Sequence, residues 1–225
     1  MYLYYRMNCS IIIPTYNRKK FSELISLNIK LQDYPFITEI IVADDGEDNE
    51  RLVLDIPYTV LYYKVPRISI GKKRNFLMSK ATGDYISNFD TDDFYNPSYI
   101  STSIFNLIKS GKRISGSSDM IMLHNGKTYK QRCLYLDMLN EATLVFTKEY
   151  ADTHKFSNSM SNEGKSFLNN SLGDIYETKI EDIMVCLAHT NNTVDKTPWL
   201  TDQYKEAISL TAYSEHLKII SNINV

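Results

Sequence analysis

Residues 71–97, GKKRNFLMSKATGDYISNFDTDDFYNP, decide the fold. Lys72 to Lys80 reads as a basic helix with Phe76, Leu77 and Met78 on its apolar faces, and Gly83 is its stop signal. Asp84-Tyr-Ile-Ser-Asn-Phe follows as a short strand of aromatic and β-branched character. Directly at its C-terminal end stand Asp90, Asp92 and Asp93. Carboxylates this close repel one another unless a cation compensates them. A hard divalent ion does so, because Mg²⁺ or Mn²⁺ takes one or two carboxylates together with substrate phosphate oxygens. In open α/β sheets ligands bind beyond the carboxyl ends of strands, which is where the cluster falls. The plain alternative is a solvated acidic turn leading into Asn96-Pro97.

Upstream, Cys9-Ser-Ile-Ile-Ile is a β-branched run that reads as a buried first strand ended by Pro14. An amphipathic helix over Lys19 to Gln32 follows, then a second buried strand, Glu39-Ile-Ile-Val-Ala, stopping at Asp44-Asp45-Gly46. Asn49 to Asp55 makes a short helix at best, and Tyr58-Thr-Val-Leu-Tyr-Tyr is a third strand. This βαβαβ order predicts a parallel, doubly wound half-sheet with crossover helices.

Downstream, Pro97 to Ser110 is a helix with Ile100, Ile104, Leu107 and Ile108 inward and Gly111 past its end. From about Ser115 the pattern becomes mixed. Asn125-Gly126 between Asp119-Met-Ile-Met-Leu-His and Lys127-Thr-Tyr is a type I′ hairpin signal. Ala142 to Thr147 is a strand, Lys165 to Leu172 a short helix, and Asp182 to His189 a last strand. Asp202 to Leu217 reads as a C-terminal helix. The expectation is one α/β domain over residues 1–225, with a smaller mixed β part in its second half.

The 225 residues carry a formal charge of −2, which gives no global pull toward nucleic acid or an acidic membrane, so any anionic ligand is held locally. Cys9, Cys133 and Cys186 are odd in number and widely spaced. That argues against a disulfide framework or a cysteine zinc site and for a reducing, cytoplasmic compartment. The N-terminal MYLYYRMNCSIII has no clear leader pattern, and Ile11 to Ile13 is far too short to span a bilayer. A soluble protein is expected.

Three stretches together resemble one family: Ser10-Ile-Ile-Ile-Pro-Thr-Tyr-Asn-Arg18, Ile41-Val-Ala-Asp-Asp-Gly46, and Gly71 through Arg74-Asn75 and Ala81-Thr-Gly-Asp-Tyr to Asp90-Thr-Asp-Asp93. In order and spacing they look like a family 2 glycosyltransferase of the GT-A fold, a nucleotide-diphospho-sugar transferase of the Asp-x-Asp type. The likeness is dense over residues 9–97, the expected donor half. It is thinner over 98–225, the expected acceptor half, where Ala142 to Lys148, Asn162-Glu-Gly-Lys-Ser-Phe167 and His189-Thr-Asn-Asn-Thr193 carry it.

The resemblance implies a Rossmann-like, mostly parallel central sheet flanked by helices, a donor that is usually a UDP-sugar, bound Mn²⁺ or Mg²⁺, and inversion at the anomeric carbon. It makes Asp92 the first candidate metal ligand and His189 the second, and it turns Asp90, with Thr91 beside it, toward the ribose. Asp44 and Asp45 lie by the base and ribose, Asp44 being the preferred contact. Thr15, Tyr16 and Asn17 offer backbone donors and a ring to the nucleobase, and Arg18 a phosphate contact. Lys72, Arg74 and Asn75 lie at a helix N-terminus, where the dipole favours anions; Lys73 is assigned to a solvated basic turn. Asp93 either caps the following turn or joins the ion.

An inverting transfer needs a base for the acceptor hydroxyl. Glu163 is the candidate, in a polar segment suited to closing over substrate, with Asp182 and Asp119 as fallbacks. The family more often shows a Glu-Asp pair where this chain has Glu163-Gly164. Expected partners are a nucleotide-sugar and a glycan or protein acceptor. Two other readings compete. A non-catalytic nucleotide-sugar binding module keeps the donor half alone. A nucleotidyltransferase should show a Gly-rich phosphate loop after the first strand, and Pro14-Thr-Tyr-Asn-Arg18 is no such loop.

Overall fold

A computed structural model describes residues 7–132, 135, 138–190 and 192–223. Cys133, Asn191 and the first six residues, on which parts of the thiol, strand-end and leader readings fell, lie outside the described residues. Cys9 and Cys186 are both free and buried. No helix among the described residues is long and apolar enough to cross a membrane.

Four parallel strands form one wing of the main sheet: β1 (Cys9–Thr15), β2 (Ile37–Asp44), β3 (Val60–Lys64) and β4 (Tyr85–Asn88), in the spatial order β4-β1-β2-β3. A strand covered on both faces needs a near-continuous apolar run, and β1 is buried along its whole length. Its alternating side chains serve two cores. Ile11 and Ile13 pack with Phe21, Leu24 and Ile25 of the helical segment ending in α1 (Ser22–Lys30). Ile12 packs with Leu77 and Met78 of α2 (Ile70–Lys80) on the opposite face.

Pro14 does not end β1; it stays within it, opposite Ala43. Pairing with β4 stops at Ile12, so beyond that point one edge of β1 asks for no N–H and the proline loses no ladder bond. Gly83 also differs from expectation. The α2 helix ends with Ala81 in an extended conformation, and a Cβ on Gly83 would stand 2.7 Å from the Ser10 nitrogen. The glycine is there for close approach to β1, where its N–H donates to Ser10 Oγ at 2.9 Å.

The second half completes this sheet and builds another. After β5 (Phe94–Tyr95) comes α3 (Tyr99–Ser110), closed by Gly111 at φ 68° as expected. Ile100, Ile104 and Leu107 are buried, but Ile108 is 51% exposed, on the far side of the helix. Then follow β6 (Ile114–Gly116), β7 (Met120–His124), β8 (Lys127–Gln131), β9 (Val145–Thr147), α4 (Lys148–Thr153), α5 (Gly164–Phe167), β10 (Ile175–Glu177), β11 (Met184–Leu187) and α6 (Ser214–Ser221). β9 enters antiparallel between β4 and β6, giving a seven-stranded sheet in the order β10-β6-β9-β4-β1-β2-β3. A four-stranded sheet, β5-β11-β7-β8, forms the smaller mixed part. Asn125 and Gly126 both take positive φ, 49° and 71°, at the β7–β8 hairpin.

The helix expected over Asp202 to Leu217 is absent. Residues 202–204 and 211–213 are 3₁₀ turns, and Lys205 bridges Tyr129 on β8. Thr128 accepts from the Glu206 N–H at 3.1 Å through its carbonyl and from the Ile208 N–H at 3.2 Å through its hydroxyl. An edge strand with unpaired backbone draws this segment into extended pairing, and the helix forms only from Ser214.

Candidate active site

The β1 and β2 strands end level, with Thr15 opposite Asp44, and the sheet order reverses across β1 because β2 and β4 flank it. This switch point opens a crevice at the carboxyl ends of the strands. Asp44 is buried; its Oδ1 accepts from the Gly46 N–H at 2.8 Å and its Oδ2 from the Tyr62 hydroxyl at 2.5 Å. Asp45 is enclosed by cations. Its Oδ1 meets Lys73 Nζ at 2.7 Å, and its Oδ2 meets Arg67 Nη1 at 3.0 Å and the Ile68 N–H at 3.1 Å. Burial alone raises the Asp45 carboxyl, but these donors and the Lys73 charge outweigh it and hold the pKa below the ordinary range.

Lys73 is therefore no solvated turn residue. Its side chain is 6% exposed and also donates to the Thr15 carbonyl at 3.0 Å, while Lys72, one residue earlier on α2, faces solvent. Tyr16 is 41% exposed and carries the Arg67 guanidinium 3.6 Å above its ring. Asn17 sits at φ 51° and accepts from the Glu47 N–H at 2.7 Å. The Thr15 hydroxyl is buried without a hydrogen-bond partner among the described residues.

The acidic motif lies on the other side of β1. Asp92 Oδ2 stands 2.9 Å from His189 Nε2 and 3.4 Å from Arg18 Nη2. Burial raises the Asp92 carboxyl, and the His189 hydrogen bond with the Arg18 charge overcomes it, leaving the pKa lowered. Asp93 is turned inward: its Oδ1 accepts from the Leu187 N–H at 3.2 Å, so it ties the motif to β11, which delivers His189. Burial, then the Asp92 and Asp90 charges, push the Asp93 carboxyl well up. Thr91 is buried between them.

Behind the motif, Asn28 of α1 donates to the Asp93 carbonyl at 2.8 Å and accepts from the Tyr95 N–H at 2.9 Å. His216 of α6 reaches the same Asn28 oxygen at 2.9 Å. Burial lowers the pKa of His216 to about 4, so the ring is neutral and its Nε2–H is the donor.

A third group gathers round Arg74, whose side chain is 1% exposed. Arg74 Nη2 meets Asp90 at 3.1 Å and Nε meets Glu163 Oε1 at 3.1 Å, while Nη1 is buried without a hydrogen-bond partner among the described residues. Glu163 is 4% exposed at the start of α5. Glu141, in the 3₁₀ turn before β9, accepts from the Gly164 N–H at 2.9 Å. Burial, followed by the Glu163 charge, raises the Glu141 carboxyl. Asn75 exchanges two hydrogen bonds with the Phe156 backbone, at 2.8 and 3.0 Å, and so fastens the segment leading to Glu163. Of the fallback bases, Asp119 pairs with Lys130 at 3.7 Å and Asp182 is exposed in a 3₁₀ turn.

Sequence reading missed Arg67, Tyr62 and Glu141. Tyr62 falls on an expected strand and Glu141 just before another, but none of the three stands in a motif, and only the fold brings them to the crevice.

Comparison with known proteins places the fold. The family model described as glycosyl transferase family 2 matches residues 10–157. Poly(ribitol-phosphate) beta-N-acetylglucosaminyltransferase TarS of Staphylococcus aureus is 31% identical over 97 residues, covering 40% of this chain and 17% of that protein. The structure of its residues 1–349 with UDP-GlcNAc superposes at TM-score 0.64, with 17% identity, over 83% of this chain and 60% of that one. Mannosyltransferase PcManGT of Pyrobaculum calidifontis, solved with GDP-Man and Mn²⁺, matches at TM-score 0.58 and 16% identity over 87% of this chain and 59% of that one. Glucosyl-3-phosphoglycerate synthase of Mycobacterium tuberculosis, solved with Mn²⁺, UDP and glucosyl-3-phosphoglycerate, matches at 0.54 and 15% identity, over 76% of this chain and 69% of that one. The chain thus shares their fold and spans 17% of the curated relative and 60% of the TarS structure.

Proposed function

We infer the activity from one premise: the chain belongs to glycosyl transferase family 2. The reading is transfer of a sugar from a nucleotide diphosphate, UDP by preference, to an acceptor hydroxyl with inversion, assisted by Mn²⁺ or Mg²⁺. One observation carries it: Asp92 Oδ2 and His189 Nε2 converge to 2.9 Å at the carboxyl ends of the strands.

Two donors in neighbouring positions of an octahedron of about 2.1 Å radius stand about 3 Å apart, so the separation of the pair matches such an ion once the ion takes the place of the proton in their hydrogen bond. Among the described residues there is no cluster of three or more His, Cys, Asp or Glu side chains that would cage an ion alone. That suits a cation completed by the donor's diphosphate. When bound, it supplies Lewis-acid stabilisation of the charge developing on the departing diphosphate.

The remaining roles fall to the chain. Asp44, with Tyr16 and Thr15–Asn17 beside it, holds the base; Asp45, Lys73 and Arg67 shape that wall; Asp90 and Thr91 face the ribose. Arg18 is placed to meet phosphate. The proton acceptor belongs to the carboxylates round Arg74, where the sequence nominates Glu163.

Thermal unfolding with UDP, GDP or TDP, each with Mn²⁺ or chelator, tests the donor site. A ligand at about 100 times its dissociation constant stabilises by about 2.7 kcal/mol. Metal-dependent stabilisation by UDP that disappears in Asp92→Asn is the expected outcome. No response to any nucleotide with metal would sink the reading.

A further inference from the structure

Two carboxylates, not one, belong to the group round residues 163–164. Glu163 supplies its own side chain from the start of α5, and Glu141 arrives from the turn before β9 to accept the Gly164 N–H at 2.9 Å. A side chain at 164 would push this carboxyl aside, since a Cβ there would lie 2.7 Å from Glu141 Oε1 and 2.8 Å from its Cγ. The space that a side chain at 164 would take is thus filled by the Glu141 carboxyl.

The turn that carries Glu141 is pinned to the acidic motif. Asn88 Nδ2 donates to the Glu141 carbonyl at 2.6 Å. The Asp90 N–H donates to the Tyr95 hydroxyl at 2.8 Å, and that hydroxyl donates to the Ala142 carbonyl at 3.0 Å. Glu141 is therefore held at the same end of β4 as Asp90 and Asp92.

The two carboxylates are not equivalent. Glu163 already neutralises Arg74 at 3.1 Å and its side chain is 5% exposed. Glu141 keeps partial exposure and forms no ion pair of its own among the described residues; the charged groups facing it there are Arg74 of α2, Glu163 of α5 and, through Arg74, Asp90. A carboxylate committed to a guanidinium is a poor proton acceptor, whereas one short of positive charge is a good one.

We propose that Glu141 takes the proton of the acceptor hydroxyl, with Glu163 as the ionised neighbour that Arg74 holds. The inference rests on the transfer reading above. The acceptor O–H bond breaks and its proton passes to Glu141. The acceptor oxygen forms the new bond to the anomeric carbon, and the bond from that carbon to the diphosphate oxygen breaks, its electron pair leaving with the nucleotide.

The test measures UDP release from UDP-GlcNAc and UDP-glucose with Mn²⁺, water standing in for the acceptor, beside UDP binding by thermal shift. Glu141→Gln should bind UDP like the wild type and release it at least about 100-fold more slowly, within the range of general-base losses. Glu141→Asp should recover part of the rate. Glu163→Gln should lose less and move the rising limb of the pH profile to lower pH, because the charge that raises Glu141 is gone.

A Glu141→Gln protein within about threefold of the wild type would overturn the assignment and leave the donor site standing. So would a wild type that binds UDP yet releases none from either donor. A wild type that binds no nucleotide overturns the transfer reading itself. A stability measurement stands apart from activity: Gly164→Ala should lower the melting temperature and Glu141→Ser should restore it, while an Ala at 164 tolerated without loss would remove the geometric basis.

Discussion

The two charged clusters flanking the crevice are built on opposite principles. On one side a single carboxylate, Asp45, is met by two cations, Lys73 and Arg67, and by a backbone N–H. On the other, a single cation, Arg74, is met by Asp90 and Glu163, with Glu141 close enough for its charge to be felt. The first arrangement surrounds its carboxylate with donors and keeps it ionised and still, as a wall needs. The second sets three carboxylates round one cation, and burial with the Glu163 charge raises the Glu141 carboxyl, the direction that the proposed proton transfer calls for. Local charge balance, more than residue type, separates a carboxylate that holds from one that reacts.

Four substitutions break or sharpen that contrast. Arg74→Met should be the most damaging, about 3–5 kcal/mol in denaturant unfolding, because it leaves buried carboxylates without their cation. A loss under about 1 kcal/mol would show that the acidic cluster does not depend on it. Lys73→Met should cost less, about 2 kcal/mol, since Asp45 keeps Arg67 and the Ile68 N–H.

Glu141→Gln changes a slope. A carboxyl raised on folding contributes stability while protonated, and that contribution is lost as pH climbs from its ordinary value of 4.5 through the folded value. The variant should therefore gain on the wild type between mild acid and neutral pH, by no more than about 1.4 kcal/mol per pH unit for one proton. Parallel melting curves across that window would remove the charge shortage. Arg67→Met should matter least, about 1 kcal/mol or less, because the side chain is 51% exposed. Measured beside Arg74→Met, it gives the contrast its scale.

Much of this was legible from the chain alone. The β-branched runs at Ile11–Ile13 and Ile40–Val42 announce buried parallel strands, and carboxylates following such runs point to the crevice. Asp92 and His189 were readable from their motifs, and the structure brings them together across 97 positions. What could not be read is partner choice. Lys72 and Lys73 are the same residue type, and only the turn of α2 against Asp45 and the Thr15 carbonyl decides which is buried. Glu141 stands beside a readable strand, but which sheet edge that strand joins was not readable, and its position depends on β9 slipping between β4 and β6. The segment after Asp202 carried helical spacing, but the open edge of β8 offered its backbone better partners.

The hydrogen bond from His216 to Asn28 also has a bearing on time. Asn28 holds the Asp93 carbonyl and the Tyr95 N–H, and His216 closes that arrangement from behind. A ribosome reaches His216 roughly 120 residues after Asp93, which at about 5–20 residues per second is a wait on the order of 6–25 seconds. Through that interval the nascent acidic turn lacks its rear support. Closure of the acidic turn in the emerging chain should therefore lag behind the appearance of the strands that carry the motif.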